Sequence, residues 1–504
     1  MYAIISSQSL KERNKMKKVL SLILTLVMLF TITVPAFAAD EKGSAADYDG
    51  APFVIVRGID FAGLTYEDGS KALSFNAFDL IGILLEAVVG QFVVKDSEAI
   101  TDGILEYAGA LLGPLASDKD GSSLDKSVSM VQYEKSLANY PEFISNLPDS
   151  SELALAKGAI DKVGAENTYY FTYDWRKDPL EVADELNALV ETAKADSGKD
   201  KVHIAAASMG GMITTAYLYK YGNASVESVT YLSAAHNGTY VCGDALNGKI
   251  HFSSDALYNT VMNLIPKSNM IIDLIVDVLF VGLKFVGAFD IVCDFLNDFV
   301  TENKDKTYSK VLRDILGTSV GLWALCPDDS LESGIDFIFG DCKDEYPILM
   351  QKLDALKDFT YSTEETIDKA YADGVKVSFI SNYNKPLVPV NVNSELNGDQ
   401  VLETALTSNF AVVADYGKTL TQEQLAAADP AYVSPDKVID ATTAVYRDYT
   451  WFVKDAPHVA CAYGTDYSEF AFWLVFSEEQ PTIYTSEAYP QFMISDAEQN
   501  LYTF

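Results

Sequence analysis

The chain has 504 residues, a formal net charge of −35 and a hydrophobic content of 49%. This length and composition support a sizeable buried core, which excludes global disorder. The strong negative charge repels phosphate groups, which argues against nucleic-acid binding and leaves only apolar contacts for binding an anionic lipid surface.

The N-terminal residues have the pattern of a secretory signal peptide. A lysine-rich flank precedes an apolar run over 19–34, and the motif A-F-A that follows is a typical cleavage site. We therefore expect residues 1–38 to be removed and the remaining protein, 39–504, to be secreted. Residues 1–15 precede Met16, where such signals normally start, and we exclude them from the fold. A retained membrane anchor is the alternative, which the short apolar run disfavours.

Apolar runs that alternate with helical patterns predict a parallel sheet. The runs lie at 53–56, 202–206, 228–234 and 375–380. Apolar residues at helical spacing predict helices over 179–196 and 209–221. Because such alternation places helices on both faces of a mostly parallel sheet, we predict an α/β fold.

Two long segments interrupt this alternation and predict helical insertions. The first, 64–164, contains apolar helical patterns over 81–94 and 104–115. The second, 242–373, is mainly helical, and we interpret it as a cap. Its most apolar part, 270–296, carries one polar stripe formed by Asp273, Asp277, Lys284 and Asp294. That part suits a core helix of the cap or a lid that contacts lipid, and its charges disfavour a membrane span.

One apolar run ends on a serine between small residues, A-A-S-M-G-G over 206–211. A nucleophilic serine needs a tight strand-to-helix turn that exposes its hydroxyl. Such a turn leaves room only for small residues two positions before and after, and Ala206 and Gly210 meet that demand. We therefore predict Ser208 as a nucleophile. A serine that merely caps a helix is the simpler alternative.

Two backbone N–H groups are candidates for an oxyanion hole. Met209 opens the helix after the serine, so its N–H and the helix dipole point to the region of the hydroxyl. The glycine-containing turn after the first strand, V-R-G-I over 56–59, brings the N–H of Ile59 toward the same region.

A serine nucleophile also needs a base and an acid. In this fold class these residues follow in the order serine, acid, histidine. Of the four histidines, His203, His236, His251 and His458, only the last satisfies that order. The candidate acids are Asp399, Asp415, Asp436 and Asp440, and we favour Asp399, which lies in a turn after the 375–380 strand. A carboxylate there would fix the tautomer of the imidazole.

Together these motifs resemble those of α/β-hydrolase lipases, and most closely of the lecithin:cholesterol acyltransferase-like family. Y-D-W-R at 173–176 is similar to a signature of that family, and A-A-S-M-G-G resembles the lipase nucleophile turn. A-H-N-G-T at 235–239 resembles a structural turn of lipases, and the segment around Trp323 is similar to one in the family's cap. N-G-D-Q-V-L at 397–402 resembles the family's acid motif in its glycine and aspartate alone.

The resemblance implies an α/β-hydrolase fold and acyl-ester chemistry through Ser208, Asp399 and His458. Arg57 departs from the family, which usually has His or Pro before the oxyanion glycine. Physically, Asp174 and Arg176 need no catalytic role, because they can fix a loop by charge-assisted hydrogen bonds. Trp175 would then pack under or beside the pocket; contact with substrate is the alternative for these residues.

We expect a secreted serine hydrolase that cleaves or transfers acyl groups of carboxylic esters. The apolar cap favours lipid substrates and peripheral contact with a lipid surface, and the chemistry needs neither a metal nor an organic cofactor. A non-catalytic lipid- or partner-binding protein on the same scaffold and a serine peptidase remain alternatives.

Five scattered cysteines do not predict a disulfide scaffold. Cys326 and Cys342 are the closest in sequence and the one pair that we consider. The simpler interpretation of each cysteine is a small buried hydrophobic residue.

Overall fold

The computed structural model describes residues 48–60, 63–72, 112–148, 152–264, 280–302 and 308–504. An eight-stranded sheet forms its centre, with strands β1 (Phe53–Val56), β2 (Thr168–Phe171), β3 (Val202–Ala207), β4 (Val226–Leu232), β5 (Lys376–Tyr383), β6 (Thr450–Lys454), β7 (Phe492–Ser495) and β8 (Leu501–Thr503). The order across the sheet is β8-β7-β6-β5-β4-β3-β1-β2. All neighbouring strands are parallel except β7 and β8.

Ten helices of seven or more residues have defined bounds in the described part of the chain. They are α1 (Glu152–Val163), α2 (Pro179–Ser197), α3 (Gly210–Tyr221), α4 (Tyr240–Leu246), α5 (Ser254–Leu264), α6 (Ala288–Glu302), α7 (Asp328–Phe339), α8 (Pro347–Thr360), α9 (Thr363–Ala372) and α10 (Asp466–Phe476). A π-helix spans Tyr308–Leu316. No helix among the described residues is both long enough and apolar enough to cross a membrane.

Alternate residues of β1 enter two separate cores. Phe53 and Ile55 belong to the core that contains the buried residues of α1 and α10, and Val54 and Val56 belong to the core that contains those of α2 and α3. All four are fully buried. A strand buried on both faces is a continuous apolar run, which is why the sequence marks β1 so clearly. The predicted α/β fold, with helices on both faces of a mostly parallel sheet, is confirmed.

The helix α2 shows how local sequence sets an element's bounds. The side chain of Asp178 accepts a hydrogen bond from the N–H of Leu180, and Pro179 occupies the first helical position. Gly198 follows the last turn in the left-handed conformation, with φ of 69°. These signals end the helix one residue beyond the predicted range.

The predicted strands match the structure with one informative error. β1 has the predicted bounds, and the ends of β3 and β4 differ from prediction by one or two residues. β5 was expected to end at Ile380 but continues to Tyr383. Ser381 and Asn382 are polar but fully buried, and they pair with β6, so their polarity does not mark a strand end.

Helices α4 to α9 and the π-helix lie between β4 and β5, in the segment predicted as a cap with additional helices. In the polar stripe, Lys284 pairs with Asp255 at 2.8 Å, whereas Asp273 and Asp277 lie outside the described residues. The predicted signal peptide and the helix over 81–94 also lie outside them. So does most of the predicted 104–115 helix, whose last three residues form a 3₁₀ turn.

The order of strands reverses at β1. The chain moves from β1 to β2 on one side and then returns across β1 to β3 on the other. The crevice at the carboxyl ends of β1 and β3 is therefore a topological switch point, the place where open α/β sheets bind ligands.

Candidate functional site

Ser208 occupies the switch point, immediately after β3. Its φ of 53° lies in the left-handed region, which is strained for a residue with a side chain. A Cβ added to Gly58 would lie 2.5 Å from the Cβ of Ser208, and one added to Gly210 would lie 2.2 Å from the carbonyl oxygen of Val56. The turns after β1 and β3 therefore pack against each other so closely that these two positions require glycine.

The N–H groups of Met209 and Ile59 flank this turn. Met209 is the N-cap of α3 and already has helical dihedral angles, so its N–H belongs to the positive end of the helix. Ile59 follows Gly58, which lies against the serine. Across the described ranges, neither N–H donates a hydrogen bond to another group of the protein. Both are available to a ligand oxygen.

His458 and Asp399 are in contact. The Nδ1–H of His458 donates to Oδ2 of Asp399 at 2.8 Å. The Asp399 side chain is 1% exposed, and its Oδ1 accepts from the N–H groups of Val401 at 3.0 Å and Leu402 at 2.8 Å. Because an ionised carboxylate accepts only, the proton of a neutral His458 lies on Nδ1 and leaves the Nε2 lone pair available.

Ser208 Oγ and His458 Nε2 do not hydrogen-bond to each other, and neither atom has another hydrogen-bond partner in the part of the chain that the structure describes. Backbone contacts join the serine turn to the loop after β4. The N–H of Ser208 donates to the carbonyl of Leu232, and the carbonyl oxygen of Ser208 accepts from the N–H of Ala235 at 2.8 Å.

Asn382, near the end of β5, links that loop to the histidine loop. Its amide Nδ2 donates to Oγ of Ser233 at 3.1 Å and to the carbonyl of Pro457 at 2.8 Å, one residue before His458. Its Oδ1 accepts from the hydroxyl of Tyr467 on α10. Sequence analysis missed this residue because the strand was expected to end before it.

Asp399 immediately follows a small hairpin. Lys385–Pro386 pairs antiparallel with Asn397–Gly398, and the ten residues between them, 387–396, form an excursion. This excursion touches the cap at several points: His251 N–H donates to Val390, Asn393 donates to Asp244 of α4, and Thr260 of α5 donates to Leu387. The acid is therefore held by the sheet and by the first two cap helices.

The other histidines have different surroundings. His203 bonds to Ser228 at 2.8 Å, and His236 contacts Asn409 at 2.8 Å. Burial lowers the pKa of each of these two imidazoles to about 4. His251 lies exposed between α4 and α5.

The other candidate acids bond elsewhere. Asp415 pairs with Lys418 on the surface, and Asp436 pairs with Lys454. Asp440 accepts from the N–H of Thr442.

The Y-D-W-R segment is a structural junction. Arg176 makes a bidentate contact with Asp174 at 2.8 and 2.6 Å, and both side chains are buried. Its Nη1 also donates to the carbonyl of Pro114. The cap segment that contains Trp323 packs against the Y-D-W-R segment, because the Gly321 N–H donates to the carbonyl of Arg176. Trp175 and Trp323 are each at most 1% exposed, which fits support of the fold.

Neither a metal site nor a disulfide occurs among these elements. No group of three or more potential ligand side chains forms within the described ranges. None of the five cysteines forms a disulfide, so the Cys326–Cys342 pair is not formed. Cys326 is buried and Cys342 is half-buried, where its thiol donates to the carbonyl of Phe339.

No family model matches the chain, and no curated protein matches it either. Among solved structures, the crystal structure of the Tle4-Tli4 complex is similar at 11% sequence identity, with 66% of this chain and 74% of that chain aligned and a TM-score of 0.26. The assignment of the α/β fold therefore depends on the observed sheet, and that of the site depends on its geometry.

Proposed function

We propose that the protein is a serine hydrolase of carboxylic esters, with Ser208, His458 and Asp399 as its catalytic triad. The observation that carries the proposal is the hydrogen bond from His458 to the buried Asp399 at the sheet edge that also displays the strained Ser208. Strained serines at strand-to-helix turns are a mark of nucleophiles.

In the proposed reaction, His458 Nε2 accepts the hydroxyl proton while Ser208 Oγ attacks the ester carbonyl carbon. The N–H groups of Met209 and Ile59 donate to the resulting oxyanion. The imidazolium then gives its proton to the leaving alcohol, which leaves an acyl-serine. Water, or an acceptor alcohol, attacks that ester with His458 again as base. Free enzymes often lack a close serine–histidine hydrogen bond, which tightens in the reacting complex.

We further propose lipid esters as substrates, secretion through the N-terminal signal and membership of the lecithin:cholesterol acyltransferase-like family. The cap supports the first part: Phe285 is 90% exposed, and Val281 and Val286 are more than half exposed beside it. Such a group of exposed apolar side chains is typical of surfaces that contact lipid or protein. With a net charge of −35, contact with an anionic bilayer would depend on these apolar residues.

Labelling with a fluorophosphonate probe tests the hydrolase proposal. An activated serine displaces fluoride and forms a stable bond to phosphorus, so we expect one label, located on Ser208 by peptide mass spectrometry. Prior heat denaturation should abolish it, because activation needs the folded His458–Asp399 pair. Folded protein that takes no label would contradict the proposal and favour a non-catalytic binding protein.

A series of p-nitrophenyl esters tests the lipid proposal. We expect kcat/KM to rise from acetate to octanoate by roughly tenfold or more, since each buried methylene contributes about 0.8 kcal/mol. Peptide p-nitroanilides should not be cleaved. A preference for acetate would instead indicate a small-ester hydrolase, and cleavage of the anilides would indicate a peptidase.

A further inference from the structure

Arg57 immediately precedes Gly58, which packs on Ser208. The Arg57 side chain extends across the same loop. Its Nη1 contacts Oδ2 of Asp60 at 2.6 Å, so this ion pair spans the turn from 57 to 60. Gly58 and Ile59 lie between the two paired residues. The ion pair thus closes the turn that carries the proposed second oxyanion donor.

A second contact fastens the turn to the body of the domain. Nη2 of Arg57 lies 3.5 Å from Oε1 of Glu152, at the start of α1, and the guanidinium lies 5.8 Å from the ring centre of Tyr170 on β2. The Arg57 side chain is 13% exposed, and those of Asp60 and Glu152 are 21% and 11% exposed. Contacts this sheltered from water are screened less than a surface ion pair.

The backbone of the turn makes few hydrogen bonds. The N–H of Arg57 donates to Phe171 at a long 3.4 Å, and its carbonyl accepts from the hydroxyl of Tyr173 at 3.0 Å. Within the described residues, the N–H of Ile59 has no acceptor that would orient it. The orientation of that N–H therefore depends on the packing of Gly58 against Ser208 and on the side-chain contacts on either side of it.

We propose that Arg57 is a positioning residue that holds the Ile59 N–H toward the oxyanion through Asp60 and Glu152. The inference rests on the proposed function, because an oxyanion donor matters only if acyl transfer occurs. A misplaced donor weakens transition-state binding more than ground-state binding, so its loss lowers kcat rather than raising KM.

The test compares Arg57→Met, Arg57→Lys and Asp60→Asn on p-nitrophenyl butyrate. We expect Arg57→Met and Asp60→Asn each to lower kcat roughly 30-fold with KM within about threefold, below the full loss of an oxyanion donor. Arg57→Lys should recover most of that loss. The Arg57→Met/Asp60→Asn double variant should lose little more than either single variant, because both remove one link.

Lys162→Met is the matched control, because Lys162 also forms an ion pair on α1, with Glu469, but on the surface. It should leave kcat unchanged. A loss that falls on KM, or that adds fully in the double variant, would overturn the proposal. If Arg57→Met fails to fold, Asp60→Asn and Arg57→Lys still give the test.

Hydrogen–deuterium exchange separates this inference from the proposed function. Exchange at the N–H of residue 57, which donates to Phe171, should become at least tenfold faster in Arg57→Met and remain unchanged in Lys162→Met. If wild-type protein takes no fluorophosphonate label, the hydrolase proposal fails, yet faster exchange would still show that Arg57 orders this turn. Unchanged exchange would overturn the role of Arg57 whatever the labelling result.

Discussion

Ser208→Ala is expected to lower kcat for p-nitrophenyl esters by about 10⁶-fold, to a residual rate roughly 10³–10⁴-fold above the uncatalysed reaction. Removal of Oγ leaves His458 and Asp399 without a nucleophile to activate. Alanine retains the Cβ at the strained φ of 53°, so the free energy of unfolding should change by less than about 1 kcal/mol. The measurement is a progress curve at high enzyme concentration, together with thermal unfolding.

Ser197→Ala serves as the control for that variant. Ser197 ends α2 and precedes β3, so it lies at the opposite sheet edge from Ser208. Its hydroxyl donates to the carbonyls of Ala193 and Lys194 in its own helix and accepts from the N–H of Lys199 in the turn that follows. We expect full activity from this control. Retention of more than 1% of wild-type activity in Ser208→Ala would mean that another group performs the attack.

Asp399→Asn should lower kcat by about 10⁴-fold while the fold remains intact. Oδ1 of Asp399 is held by the N–H groups of Val401 and Leu402, which require an acceptor. The asparagine oxygen must therefore occupy that side, and its NH₂ must face Nδ1 of His458. An NH₂ donor there forces the proton of the imidazole to Nε2, the wrong atom for a base.

Asp415→Asn is the matched control for the acid, since Asp415 lies on the surface, paired with Lys418, and was an alternative candidate in the sequence. Its substitution should leave kcat within about twofold, because surface ion pairs contribute little to stability. Equal losses in the two variants would remove the argument for Asp399. A proton NMR signal from the Nδ1–H of His458, present in wild type and absent in Asp399→Asn, would report the tautomer directly.

The sequence was informative where one residue type meets a strict geometric demand. β1 was predicted with its bounds because a strand buried on both faces must be apolar throughout. Small residues around Ser208 indicated its tight turn, and the order of residues along the chain selected His458. The turn after a predicted strand favoured Asp399 among four candidate acids, and the structure places it in hydrogen-bond contact with His458.

The sequence was uninformative where a role depends on distant partners. Asn382 bonds to groups 149 and 75 positions away, so nothing near it in the chain indicates its role. The predicted strand instead ended two residues before it, at Ile380. The hairpin that precedes Asp399 was also missed, because its two strands have only two residues each.

The hairpin excursion over 387–396 has a consequence for how the protein responds to whatever occupies its cap. These ten residues bond to α5 at Leu387 and to α4 at Asn393, and the short strand that follows them leads directly to Asp399. A rigid shift of those helices must either break these bonds or move the carboxylate that sets the proton on His458. Occupancy of the cap and readiness of the base are then thermodynamically linked, and each should alter the other by the same factor.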